Sequence, residues 1–321
     1  MAMKVIVPIP ITTDPQLLAH NATETAYAAW VTATSYTATT DFVLYNHRAY
    51  KCLVTHTSGP TTLPDAIGGT TWLDLGPSNK WALFDQEVST ATTKVGNLSV
   101  TIKPSVGTSR YFDSVCVLAV TGAGSVRVQV FNGTGRTTGP GDTVGGDLVY
   151  TSTATLDNTY IGDMYQYYFN PFEIKTEVVF TGIPPYLNGE VVLTITANTG
   201  GTTVTCGALI CGLAAELGGV QYGASSGITD YSIKETDAYG ITTFVRRNAA
   251  KRTNYTLWVD NTQIRRVYSV LSEVRATPCV WLGSEEYTYS PLIVFGFYED
   301  FDITVAQDTY SVCSLQVQGM I

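Results

Sequence analysis

Between residues 86 and 215 the sequence is cut by Gly, Asn and Pro into short β-branched runs, and no stretch repeats at the helical period. This pattern constrains the fold more than any other feature of the chain. The run Ser125–Phe131 (SVRVQVF) alternates strictly, so that Val126, Val128 and Val130 share one face of a strand. Leu98–Ile102, Ser114–Val120, Leu148–Thr151, Tyr165–Phe169, Glu177–Phe180, Val191–Thr196 and Thr203–Leu213 read as further strands. Short strands at even spacing with turn residues between them predict an antiparallel β-sandwich or jelly roll. Residues 134–146 (TGRTTGPGDTVGG) read as a loop; their GxG spacing is not a phosphate cradle, because no helix follows it.

Composition agrees with a mainly β protein that has ample material for a core. Of 321 residues, 45% are apolar and only 14% are charged, with 20 Tyr, 11 Phe and 5 Trp. Global disorder needs the opposite balance. The net charge of −9 argues against a generic nucleic-acid binder, whose affinity rests on neutralising phosphates. No run approaches the ~20 apolar residues of a membrane span, and MAMKVIVPIPITTDP does not read as a signal peptide. No membrane partner is expected. So few charges suggest a surface that packs against other chains.

Candidate chemistry is sparse. Cys52, Cys116, Cys206, Cys211, Cys279 and Cys313 each sit in an apolar setting and read as buried free thiols rather than a disulfide framework. His20, His47 and His56 are too few and too widely spaced for a zinc site. No GxSxG elbow supports a serine triad. Asp157 with Asp163, or Glu285 with Glu286, are nominal carboxylate pairs for glycan hydrolysis, but adjacency in sequence does not set a separation across a cleft. No cofactor, metal or catalytic residue is expected.

Four segments follow. Residues 1–25 read as an N-terminal arm, a strand at Lys4–Thr12 followed by Asp14-Pro15 and a short helical LLAHNATETA. Residues 26–85 are aromatic, with a hairpin of Asp41–Tyr45 and Arg48–Val54 around the tight turn Asn46-His47. Residues 86–215 are the sandwich. Residues 216–321 are expected to form an α+β barrel-like unit with one helix. There, two strand-like runs flank Ala238-Tyr239-Gly240, and Ile264, Val267, Tyr268, Leu271 and Val274 make one helical face. Asp260 or Asn261 can cap that helix, and Thr277-Pro278 stops it.

Residues 26–85 carry a resemblance. Trp30, Tyr36, Phe42-Val43, Tyr50-Lys51-Cys52, His56-Thr57-Ser58 and Trp72 are similar in order to the small chitin- and cellulose-binding modules of glycosidases. The resemblance implies that exposed aromatics stack on sugar faces, with Tyr36, Tyr45, Tyr50 and Trp72 as candidates; the alternative is that these rings fill a small core. The continuation LGPSNKWALFDQ resembles a segment of phage virion proteins. So do YGASSGITDYSIKETDAYGITTFV, RRNAAKR, RATPCVWLG, PLIVFGFYEDFDI and the closing QGMI, which resemble an uncharacterised family of tailed-bacteriophage virion proteins. That resemblance implies a structural part of a tail, collar or baseplate, found in the virion and assembled in the host cytoplasm.

Charge is unevenly distributed. Residues 241–275 hold Arg246, Arg247, Lys251, Arg252, Arg265, Arg266 and Arg275 against Asp260 and Glu273, a local +5 that leaves −14 for the rest of the chain. Pairing with Glu285, Glu286, Glu299 and Asp300 on a neighbouring copy suits a head-to-tail ring. The expected partners are therefore further copies of the chain and other virion proteins. The alternatives are a solvated basic face or DNA contact for the cluster, and for the whole protein a host-glycan-binding adhesin or, more remotely, a glycan hydrolase.

Overall fold

The computed structural model describes residues 2–106, 110–132, 146–158, 163–169, 173–186, 189–199, 201–237, 239–284, 287–305 and 307–320. The chain is mainly β, built on large antiparallel sheets. The strands of its two largest sheets begin with β1 (Ala2–Pro8), β2 (Leu17–His20), β3 (Leu98–Ile102) and β4 (Ser114–Leu118). Next come β5 (Ala123–Asn132), β6 (Asp147–Thr155), the short helix α1 (Met164–Phe169), β7 (Val178–Phe180), β8 (Gly189–Ala197) and the long β9 (Ala208–Val220). The last third supplies β10 (Ser225–Asp230), β11 (Ala249–Asp260), helix α2 (Ile264–Glu273), β12 (Cys279–Leu282), β13 (Ile293–Thr304) and β14 (Tyr310–Gly319).

A five-stranded sheet, β6-β5-β8-β3-β2, forms one layer of the sandwich. Its inner face is set by the alternation read in the sequence: Val126, Val128 and Val130 are fully buried, beside Val191, Leu193 and Ile195 of β8. Opposite lie Val115 and Val117 of β4, Phe180 of β7 and Cys211 of β9. Two strands expected in this region are different. Tyr165–Phe169 lies in the helical turn α1, and Thr203–Leu213 splits into Thr203–Cys206, paired with Thr92–Val95, and the start of β9.

The nine-stranded sheet runs β7-β4-β9-β1-β12-β13-β14-β11-β10, and β9 also pairs with β11 through Gly219↔Trp258 and Val220↔Leu257. That second pairing closes β9, β1, β12, β13, β14 and β11 into a ring of antiparallel strands, a small barrel. Strand β9 is shared: its first half completes the sandwich and its second half joins the barrel wall. Period-2 residues fill the interior, namely Met3 and Val5, Tyr255, Leu257 and Val259, Cys279 and Trp281, and Cys313, Leu315 and Val317. Helix α2 adds Val267 and Leu271 to that core, and Val274 just past its end joins them. Tyr268, expected on the same face, is exposed and meets Phe301 edge-on at 5.9 Å. The Asp260 carboxylate accepts from the Thr262 N–H at 2.8 Å and opens a turn that leads into the helix. Gly296 permits the tight strand crossing at the barrel wall, since a Cβ there would collide with the Gln318 carbonyl.

The segment expected to be an arm, residues 1–25, supplies strands to both sheets. β1 lies between β9 and β12, with Ile6 opposite Ala214 and Val280. Leu17–His20, expected to be helical, is strand β2 on the edge beside β3. Tertiary pairing overrides the local helical signal there. Asp14 lies inside a short 3-10 turn whose cap is Thr13.

Residues 26–85 form a separate small β unit. Its sheet joins Ala28–Ala29, Phe42–Tyr45, Arg48–Cys52 and Trp72–Pro77. Asn46 and His47 both adopt positive φ, 45° and 65°, as a two-residue I′ hairpin turn requires. The LGPSNKWALFD stretch clamps this unit to the sandwich. The Asn79 side chain donates to the Thr23 and Thr93 carbonyls at 2.7 and 3.0 Å and accepts from the Thr93 N–H at 2.9 Å. His47 stacks on Trp81 at 3.7 Å, and Leu83 is buried in the sandwich core.

Candidate assembly surface

The aromatic residues nominated for sugar contact do not form a platform. Tyr36, Tyr50 and Trp72 are only 7%, 3% and 7% exposed and make the core of the small unit with Val43 and Cys52. Tyr45 is half-buried against Trp30, the rings edge to face at 5.3 Å. The Trp72 indole N–H donates to the Thr62 carbonyl at 3.0 Å, so even its polar edge is committed. Tyr36, Tyr50 and Trp72 thus fill a small core, the alternative open in the sequence, and Tyr45 packs partly against it. A unit of this size has few aliphatics and needs its rings inside. Within this unit Tyr27, 37% exposed, stacks on Phe42 at 5.1 Å.

All six cysteines are free and buried. Burial pushes every thiol upward, Cys279 to about 12 and Cys313 to about 11, so none is poised as a nucleophile. Among the described residues no cluster of three or more His, Cys, Asp or Glu is placed to hold a metal ion. Of the nominal carboxylate pairs, the Asp157 side chain and both Glu285 and Glu286 lie outside the described residues.

What stands out is an exposed two-stranded arm. Between β10 and β11 the chain leaves the barrel as the hairpin Ile233–Thr236 paired with Thr242–Val245. At roughly 3.3 Å per residue the described excursion reaches about 25 Å from the β10–β11 ladder. Its turn is built by Asp237, whose carboxylate accepts from the Tyr239 and Ile241 N–H groups, both at 2.8 Å. Gly240 closes it at φ 82°. At the base, the Ser232 N–H donates to Asp230 at 2.9 Å and the Arg247 N–H donates to the Ser232 hydroxyl at 3.0 Å. The Ser232 bonds, and then Lys234 and Arg246, hold the Asp230 carboxyl below its ordinary range.

The arm is anchored, but its apolar side chains are bare. Ile241 is 64% exposed, Phe244 66% and Tyr239 90%, and Ile228 of β10, at the arm's base, is 75% exposed. An isolated two-stranded ribbon is at best marginally stable in water. Full burial of an Ile or Phe side chain gains about 1.5–3 kcal/mol, so Ile228, Ile241 and Phe244 leave about 3–6 kcal/mol unrealised. An open cleft of about 980 Å³ lies between the arm and the body, lined in part by Val88, Ile228, Phe244, Arg246 and Met320.

The basic cluster seen in sequence divides in space. Arg246 and Arg247 are exposed at the root of the arm, next to the start of β11. Arg265 and Arg266 are exposed on α2, beyond the other end of that 12-residue strand, about 36–40 Å long. Arg252 is exposed near the arm. Lys251 is not available as expected: its ammonium donates to Glu177 at 2.5 Å and reaches the Ile293 carbonyl at 3.4 Å. Glu299 and Asp300 are exposed on β13. Asp300 and Asp302 pair in register with Gln316 and Ser314 of β14, which places them on the outer barrel wall, away from Phe301 and Leu315. Among the described residues no ion pair joins these carboxylates to the arginines.

No protein-family model matches the chain, and no curated protein matches it. Among the described residues no helix is long and apolar enough to cross a membrane.

Proposed function

We propose that this protein is a non-enzymatic structural subunit of a tailed-bacteriophage virion, at the tail, collar or baseplate, that assembles as a symmetric oligomer with copies of itself and with other virion proteins. The observation that carries the reading is the exposed arm at residues 231–247 with Ile228 at its base, whose apolar side chains gain several kcal/mol when another protein covers them. The segments LGPSNKWALFD and PLIVFGFYEDFDI, similar to phage virion sequences, lie at the clamp between units and in the barrel wall. On this reading the protein is made in the host cytoplasm and resides in the virion. The small unit at residues 26–85 serves as a rigid module held by Asn79 and Trp81, displayed on or docked within the particle. A host-glycan adhesin is the weaker reading, because Tyr36, Tyr50 and Trp72 are spent on packing.

The test is peptide mass spectrometry of purified virions of the phage that encodes the chain. The reading expects the protein at a stoichiometry of several copies per particle. Its absence from infectious virions overturns the reading.

A further inference from the structure

We propose that the arm of one subunit seats on the outer barrel wall of a second copy, head to tail. This deepens the assembly reading above and rests on it. The wall formed by β11, β14 and β13 carries exposed Asp300 and Asp302, with Trp258 58% exposed on the same sheet. The arm offers the complement, Phe244 followed by Arg246 and Arg247. In that contact Phe244 covers the wall's exposed ring, and the guanidinium forks of the arginines can bond carboxylates in pairs.

The occupant is a second copy because the chain itself supplies the opposite charge. Residues 241–275 are +5 while the remainder is −14, so the arm's root is drawn to another subunit rather than to a basic partner. Within one chain these groups form no ion pair among the described residues. Arm and wall are different surfaces, so the contact is heterologous, and repetition closes a ring or runs on as a filament.

The experiment is a charge swap read by native mass spectrometry and light scattering, with circular dichroism to show that each variant is folded. Wild type should give multiples of 34.6 kDa. Arg246→Glu with Arg247→Glu, and separately Asp300→Lys with Asp302→Lys, should each weaken self-association at least tenfold. Mixing the two variant proteins should restore the contact in both directions and give assemblies in which the two variants alternate, and combining all four changes in one chain should restore self-assembly of that single protein. A wild type that stays at 34.6 kDa at high concentration overturns the proposal. So do reversals that leave assembly intact, or folded variants that do not rescue one another. Detection of the protein in virions despite any of these results leaves the virion reading standing and removes only this contact.

Discussion

His20 makes the fold acid-sensitive in a narrow window. It lies on edge strand β2, where its Nδ1 accepts from the Ala22 N–H at 3.0 Å. An acceptor Nδ1 requires the neutral ring with its proton on Nε2, and Nε2 is buried without a hydrogen-bond partner among the described residues. Burial first, and the nearby Lys80 second, pull the ring's pKa down from 6.5 to about 4. The unfolded chain therefore binds this proton more readily than the folded one. The His20 contribution is fully present above pH 6.5 and is lost as pH falls toward 4. Linkage over that interval gives a loss of about 2 kcal/mol by pH 5 and about 3 kcal/mol at and below pH 4. His20→Asn keeps an acceptor near the Ala22 N–H and removes the titration. Urea midpoints measured from pH 8 to pH 4.5 on both proteins isolate the effect, since carboxylates titrate equally in the two. The wild type should lose about 2 kcal/mol more than the variant between pH 7.5 and pH 5. Parallel profiles would refute a buried neutral His20.

Three further outcomes follow from the packing. Leu271→Ala on α2 should cost about 2–5 kcal/mol in urea unfolding, because Leu271 is 0% exposed within the barrel core. Asn79→Ala removes the bonds that tie residues 23 and 93 to the junction, costing about 1–3 kcal/mol, and limited proteolysis should cut between residues 26–85 and the sandwich several-fold faster. Trp72→Ala should cost about 3–5 kcal/mol within the small unit, seen as loss of its dispersed NMR resonances. A folded Trp72→Ala unit that had lost only sugar affinity on a glycan array would instead return Trp72 to a binding role.

Local periodicity carried much of this fold. The SVRVQVF alternation placed three valines on the inner face, and the stripe Val267, Leu271, Val274 placed α2 against the barrel. Asn46-His47 marked its hairpin through the left-handed conformation that Asn tolerates. Pairing between distant segments was not legible. Nothing near Met3 or Val5 in sequence says that β1 lies between residues 212–219 and 280–282. The aromatic unit leaves core and contact rings undivided in sequence, because strands as short as Ser35–Tyr36 show no alternation to separate inside from outside. The basic cluster misled for a related reason: sequence proximity joined arginines that a 12-residue strand holds at opposite ends. The clamp role of Asn79 has no sequence signal beyond a polar pair between a Gly-Pro turn and Trp81. The arm was visible as two runs around a Tyr-Gly turn, but its exposure depended on where the barrel ended.

Electron cryomicroscopy of the phage particle proposed to carry this subunit should show repeated copies of the barrel and sandwich around the particle axis, each arm resting on the outer barrel wall of the next copy. A complete reconstruction with no density for this subunit, or with single isolated copies whose arms touch no other protein, would contradict that arrangement.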